Sequence, residues 1–342
     1  MSQAIKHAIR LLSEARPLSA GEAREAVLDM IEGRAGEALM AAFLMGLRVK
    51  GESEEELLGC VQAMRSAGRA ITPSRRPLLD TCGTGGDGRS TFNISTTVAM
   101  VAAGAGATVA KHGNRSVSSQ SGSADLLEAL GVPLLQEPDL VRCCIEEVGL
   151  GFLFAPFFHP AIGSVAPVRR QLGVRTVFNL LGPLSNPARA ESQLIGVYAE
   201  RWCVPVARVA AELGVTSCLV VHGPGGLDEL GLEGPSLLVR QTEGQVETLR
   251  LDPAELGLSA ASPEALQGGS PEENAAITKA ILEGESGPRR EVVLLNTAAA
   301  LWAGRLVEDM REGLVRAGQA IDSGAAWTRL EELRAFSRKA LA

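Results

Sequence analysis

No aspartate or glutamate stands between Asp87 and Asp125, although acidic residues outnumber lysine and arginine by 40 to 33 over the whole chain. Arg89, Lys111 and Arg115 fall inside that window with no counter-charge nearby in sequence. Such a basic stretch, set among hydroxyls and glycines, points to a bound anion. Other absences narrow the function. The six cysteines form no C-x-x-C pair and no zinc-like spacing, which leaves reduced thiols packed as small hydrophobes. There is no net positive charge; at −7 the chain is a poor general binder of nucleic acid or of a membrane surface. Met1 to Arg16 contains no signal-type apolar segment, and the run from Val292 to Ala303 is too short to span a bilayer and is broken by Asn296. A soluble, cytoplasmic protein without repeats or low-complexity tracts is expected.

What is present reads as an α/β fold with a small all-helical domain. Hydrophobic residues make up 46% of the 342 positions, enough for a large core. Residues 1–72 read as helices only, with capping boxes at Ser19/Glu22 and Ser53/Glu56. The segment from Ala38 to Leu47 is apolar nearly all round, so it must be central or covered at a subunit interface. From residue 75, short strands alternate with helices, the pattern of a mainly parallel sheet covered on both faces. Strands are expected at 78–80, 106–110, 151–154, 193–198 and 217–222, with a hairpin over 236–251 turning near Glu243-Gly244. Helices are expected near 95–103, 123–130, 138–148, 201–213, 290–303, 307–322 and 326–340. The Pro-rich stretch from Pro156 to Pro187 interrupts the alternation and is read as a return, over about 160–190, to the helical domain. The α/β domain then comprises 75–158 and 192–342.

The glycine turn Asp80-Thr81-Cys82-Gly83-Thr84-Gly85-Gly86-Asp87-Gly88 fits two familiar templates only superficially. Gly83-x-Gly85-x-x-Gly88 mimics a dinucleotide fingerprint, but no acid lies about 20 residues on to hold a ribose. Gly83-x4-Gly88-Arg89-Ser90 mimics a P-loop, but Arg89 replaces the lysine and Asp87 sits where phosphates would. What remains is an anion nest of successive amides, followed by Asn93, Ser95 and Thr96 at a helix start whose dipole favours negative charge.

Several long motifs in order resemble the anthranilate phosphoribosyltransferases of tryptophan biosynthesis. They are the glycine turn with Asn93-Ile94-Ser95-Thr96; Lys111 to Ser119 with Ser121-Gly122-Ser123-Ala124-Asp125; His159-Pro160-Ala161; Val168 to Gly173; Phe178 to Pro183; and Gly226-Leu227-Asp228-Glu229. The resemblance implies a Mg²⁺-dependent transfer of a 5-phosphoribosyl group from its 1-diphosphate to the amine of anthranilate. It implies a helical domain packed on an α/β domain, with a homodimer formed through the helical part. By the resemblance, the phosphoribosyl diphosphate falls to Gly83, Gly86, Asp87, Thr91, Asn93, Ile94, Ser95 and Thr96 in the first loop. In the second it falls to Lys111, His112, Gly113, Asn114, Arg115, Ser116, Val117, Ser118, Ser119 and Ser123. Anthranilate falls to Gly83, Asn114 and Arg169, with Arg170 as the natural comparison, and the metal to Ser95, Asp228 and Glu229. His112 is read as a packing and hydrogen-bonding residue before a weak base; His7, His159 and His222 are read as structural. No catalytic residue is assigned, because an aromatic amine attacks with a free lone pair. Two alternatives stay open: a pyrimidine nucleoside phosphorylase, whose phosphate loop carries a different Lys-His-Ser-Thr-Gly-Gly run, and a non-catalytic paralogue that binds nucleic acid.

Overall fold

The computed structural model describes residues 2–116 and 120–341. Four helices open the chain: α1 (Gln3–Ser13), α2 (Ala20–Ile31), α3 (Glu37–Lys50) and α4 (Glu54–Ala67). Both expected capping boxes form. The Ser19 hydroxyl accepts from the Glu22 amide at 3.3 Å while Glu22 accepts from the Ser19 amide at 2.9 Å, and Ser53 and Glu56 repeat the pattern.

A seven-stranded sheet follows. Its elements are β1 (Leu78–Gly83), α5 (Ile94–Gly104), β2 (Thr108–Gly113), α6 (Ser123–Ala129), α7 (Pro138–Val148) and β3 (Leu150–Phe154). Three short helices, α8 (Ala155–Phe158), α9 (Ala166–Leu172) and α10 (Phe178–Leu184), then lead to β4 (Ser192–Gly196), α11 (Cys203–Glu212) and β5 (Ser217–His222). The hairpin β6 (Ser236–Thr242) and β7 (Gln245–Leu251) turns at Glu243-Gly244, both at positive φ, as the two-residue turn of a tight hairpin requires. Helices α12 (Pro271–Leu282), α13 (Pro288–Ala303), α14 (Met310–Asp322) and α15 (Ala325–Ala340) close the chain.

Strand order is β3-β2-β1-β4-β5-β6-β7, parallel through β5 and antiparallel over the hairpin edge. The chain therefore winds outward in both directions from the β1/β4 boundary. In open parallel sheets, ligands bind beyond the carboxyl ends of the strands at such a reversal. Helices α5, α13 and α15 pack on one face, within a core that includes Val98, Val109 and Leu301. Helix α11, the opening helices and the α9–α10 segment cover the other, within a core that includes Phe43, Leu181 and Val220.

The structure differs from the sequence reading most clearly in the length of two strands and in one unexpected helix. Strands β1 and β2 run three residues further than expected, through Thr81–Gly83 and Lys111–Gly113, because parallel neighbours pair them: Gly83 with Gly196, Lys111 with Phe152. Polar and glycine residues hide strand character that the ladder supplies. Helix α12 is not among the expected elements, although Ser270 and Glu273 form a capping box around Pro271; the flanking Gly268-Gly269 reads as loop. Helix α3 buries Met40, Phe43, Leu44 and Leu47 and leaves Val49 80% exposed, so of the two expected places for it, central or at a subunit interface, it is not central within the chain. No helix among the described residues is long and apolar enough to cross a membrane.

Candidate functional site

The carboxyl ends of β1, β4 and β5 converge on one acidic turn. Asp228, after β5, is fitted so closely against β1 and β4 that a Cβ on Gly83 would come 2.4 Å from its Oδ2, and one on Gly196 would come 1.5 Å from its carbonyl oxygen. The Gly85 amide, reached through a positive-φ turn at Gly85 and Gly86, donates to Asp228 Oδ2 at 2.6 Å. The Ser95 amide, in the first turn of α5, donates to Glu229 Oε1 at 2.9 Å. Both carboxylates thus occupy amides of the kind that bind anions. Asn296 of α13 holds the same turn from behind: it accepts from the Leu230 amide and donates to the Leu230 carbonyl, each at 2.9 Å.

Electrostatics mark this cluster as short of positive charge. Burial, and then the neighbouring Asp87, pushes the Asp228 carboxyl up to about 7. Burial, Asp228 and Asp87 push Glu229 well above the ordinary carboxylate range. Asp87 Oδ2 is buried with no hydrogen-bond partner among the described residues. Among those residues no three His, Cys, Asp or Glu side chains are disposed to hold a metal by themselves. A cation here would draw on two carboxylates, the Ser95 hydroxyl and oxygens of a bound ligand, the manner in which Mg²⁺ is commonly held beside phosphates. The donor set is hard oxygen throughout and fits that ion.

Lys111, at the end of β2, is 3% exposed. Its ammonium donates to the Thr81 carbonyl, and to Ser95 Oγ at 3.4 Å. It makes no ion pair among the described residues. The other two cations of the acid-free window do not stand alone, which corrects the reading from sequence. Arg89 pairs with Glu233, across the turn that follows Asp228-Glu229. Arg115 pairs with Asp125 at 2.7 Å and Glu128 at 2.6 Å, at and just beyond the end of the window. The counter-charges come from α6 and from a residue 144 positions away, which local spacing cannot show.

Asn93 does not cap α5 with its side chain. It ties three segments instead: Nδ2 donates to the Ser121 carbonyl, and Oδ1 accepts from Ser121 Oγ and Asn274 Nδ2 at 3.1 and 2.9 Å. The side chains of Ile94 and Thr96 are buried, so Ile94 faces the core. Thr91 bridges to Gln267, and Gly113 leaves room for Ser123, whose hydroxyl accepts from the Asn114 amide at 3.1 Å. Asn114 itself is exposed and accepts from the Arg115 amide; Ser116 donates its amide to Asp125 Oδ2 at 3.2 Å. Val117, Ser118 and Ser119 lie outside the described residues.

In the segment between β3 and β4, Arg169 of α9 lies over the Phe178 ring, 5.6 Å from its centroid. Burial lowers its guanidinium pKa, and it makes no ion pair among the described residues; Arg170 is exposed. His112 is buried, with Nδ1–H donating to the Gly182 carbonyl at 3.0 Å, so Nε2 carries the lone pair and has no partner among the described residues. Burial, with His159 and Lys111 adding, pulls its pKa down to about 3. Sequence reasoning gives no role to Asp80, Asn186, Gln193, Arg65 or Asn296. Asp80, fully buried in β1, accepts from the His112 amide at 3.1 Å and from Asn186 Nδ2 at 2.7 Å. Only Asn296 leaves a trace, as the polar residue that breaks an apolar run.

Comparison with known proteins bears on this geometry. A glycosyl transferase family model for an α/β domain matches residues 75–327, and one for a helical bundle domain matches 6–68. The anthranilate phosphoribosyltransferase of Symbiobacterium thermophilum is 51% identical over 98% of this chain and 98% of its own. The chain belongs to the anthranilate phosphoribosyltransferase family. The crystal structure of the family member from Thermus thermophilus superposes with a TM-score of 0.92 at 46% identity, covering 99% of this chain and 100% of that one. The Saccharomyces cerevisiae member, solved in complex with PRPP (5-phosphoribosyl 1-diphosphate) and Mg, aligns with a TM-score of 0.90 at 28% identity over 99% of both chains. The same yeast enzyme has been solved with 4-fluoroanthranilate.

Proposed function

We infer that the protein transfers the 5-phosphoribosyl group of 5-phospho-α-D-ribose 1-diphosphate to the amine of anthranilate. The products are N-(5-phosphoribosyl)anthranilate and pyrophosphate, a step of tryptophan biosynthesis. One observation carries the reading: Asp228 and Glu229 sit on the Gly85 and Ser95 amides beside the buried Lys111, at the strand-order reversal of a family member. In this reaction positive charge develops on the ribose while negative charge builds on the leaving diphosphate. The barrier falls when that negative charge meets preorganised donors. Lys111, the nest at Gly83 to Asp87 and the α5 N-terminus at Asn93 to Thr96 supply them. Asp228, Glu229 and Ser95 would hold Mg²⁺, which when bound neutralises diphosphate oxygens.

On the acceptor side, Arg169 is the cation for the anthranilate carboxylate, with Gly83 and Asn114 beside the ring. His112 is too weak a base to serve at neutral pH, and the amine requires none. The remaining second-loop residues, Gly113, Arg115, Ser116, Ser123 and the segment 117–119, surround the phosphoribosyl group; Arg115 acts there as an anchor of the loop to α6. The helical domain comprises 1–72 with the returning segment near 160–190. A homodimer forms through it, supported by the stripe Ala38, Ala42, Met45 and Val49, which is left partly or fully exposed on α3. The chain acts in the cytoplasm.

The test is a fluorescence assay of anthranilate consumption. Loss of signal that requires both phosphoribosyl diphosphate and Mg²⁺ is expected. No consumption under those conditions, or phosphorolysis of thymidine or uridine in its place, overturns the reading.

A further inference from the structure

Helix α10 ends in an unusual arrangement. The last carbonyls of a helix have no partner within it. Here the carbonyls of Gly182, Pro183 and Leu184 and that of the cap residue Ser185 each accept a side-chain donor from a different element, Gly182 in addition to the Ser185 amide. His112 Nδ1 of β2 reaches Gly182 at 3.0 Å, Gln193 Nε2 of β4 reaches Pro183 at 2.9 Å, Arg65 Nε of α4 reaches Leu184 at 2.8 Å, and His159 Nε2 reaches Ser185 at 2.9 Å. Arg65 is forked: its Nη1 donates at 2.8 Å to the carbonyl of Leu213, which caps α11. The next residue, Asn186, donates to Asp80 of β1 and to the Ala110 carbonyl of β2.

These donors are not surface decoration. Gln193 is 1% exposed; among the described residues its amide nitrogen has no other partner, and its Oε1 has none at all. A packed apolar residue would fill the volume without that orphaned oxygen, so the amide is retained for what its nitrogen grips. At its other end, α10 presents Phe178 to Arg169. Apart from its chain neighbours and the backbone of α10 itself, no described atom lies within 4 Å of the Cβ position on Gly182, so the gripped end borders open space.

We propose that Gln193 and Arg65 are positioning residues for the acceptor. By holding the Pro183 and Leu184 carbonyls they fix α10, and with it the Arg169–Phe178 wall, against the strands that carry the diphosphate site. This rests on the transferase reading. In this proposal the two residues act through α10 and not on a substrate; Gln193 pairs with Asp80 of β1 through its backbone, which a change of side chain leaves in place.

The experiment compares wild type with Gln193→Leu and Arg65→Met, each full length. Measured are KM for anthranilate, kcat, thermal midpoint, and calorimetric affinity for phosphoribosyl diphosphate with Mg²⁺. Expected is an anthranilate KM raised about tenfold, with diphosphate affinity held within about twofold. Arg65→Lys, which keeps the charge but not the fork, falls between wild type and Arg65→Met. If either truncation does not fold, Gln193→Asn and Arg65→Lys carry the same criterion. Variants whose affinities for both substrates fall together, or whose anthranilate KM is unchanged, overturn the proposal. A wild type that does not consume anthranilate sinks the underlying reading as well, and so separates the two failures.

Discussion

The two sides of the proposed site, one for the diphosphate and one for the acceptor, are built by opposite strategies. The diphosphate wall comes from contiguous chain: β1, its glycine turn and the first turn of α5, with Lys111 one strand away. Its donors are mainly backbone amides whose positions follow from strand and helix geometry. The proposed acceptor wall rests on the side chains of Arg169 and Phe178. Two seven-residue helices form it, and side chains from β2, β4, α4 and the segment after α8 hold one of them in place. A wall of amides tolerates sequence change outside its glycines, whereas a wall hung from carbonyls depends on residues distributed along the whole chain.

The largest effect should come from the diphosphate wall. Replacing Asp228 by Asn together with Glu229 by Gln should lower Mg²⁺-dependent kcat/KM by about a thousandfold while the thermal midpoint stays or rises. An unchanged Mg²⁺ dependence of the rate would remove the pair from the metal site. Lys111→Met should cost about a hundredfold in kcat with little change in anthranilate KM; a purely structural lysine would show as unfolding instead. On the acceptor wall the effects are smaller and confined to one substrate. Arg169→Ala should raise anthranilate KM about tenfold against no more than about twofold for Arg170→Ala, and equal effects would dissolve the distinction between them.

Stability offers the finest contrast. The folded-state pKa of His112 is depressed to about 3 from 6.5, so its neutral form contributes stability that is complete above pH 6.5 and lost as pH falls toward 3. The midpoint of His112→Asn should therefore fall less steeply than wild type between about pH 6.5 and 4, measured by circular dichroism. Parallel curves would show that the imidazole is not what the acid protonates.

Much of this is legible in the sequence, for a definable reason. Periodicity and capping boxes place the opening helices, and alternation places every strand, because those signals are local. The glycine turn, Ser95 and Lys111 stand out by spacing and by the missing acids around them, whereas Asp228-Glu229 reads as an ordinary acidic loop until the family resemblance singles it out. The inference that Arg89 and Arg115 lack partners fails because Glu233 and Glu128 come from outside the acid-free window. Asp80, Gln193 and Arg65 are invisible for a related reason. A buried polar residue announces itself only when its partner is known, and their partners are 106, 10 and 119 positions away. Asn296 interrupts an apolar helix and could be singled out by that alone.

The close seat of Asp228 against Gly83 and Gly196 has an evolutionary corollary. A methyl group at position 196 would overlap a main-chain oxygen, and no rotamer change can make room. Random libraries screened for growth should return glycine alone at that codon, however freely neighbouring β4 codons vary. Descendants that took up another acceptor would be expected to remodel α9 and α10 and to inherit this pair of glycines untouched.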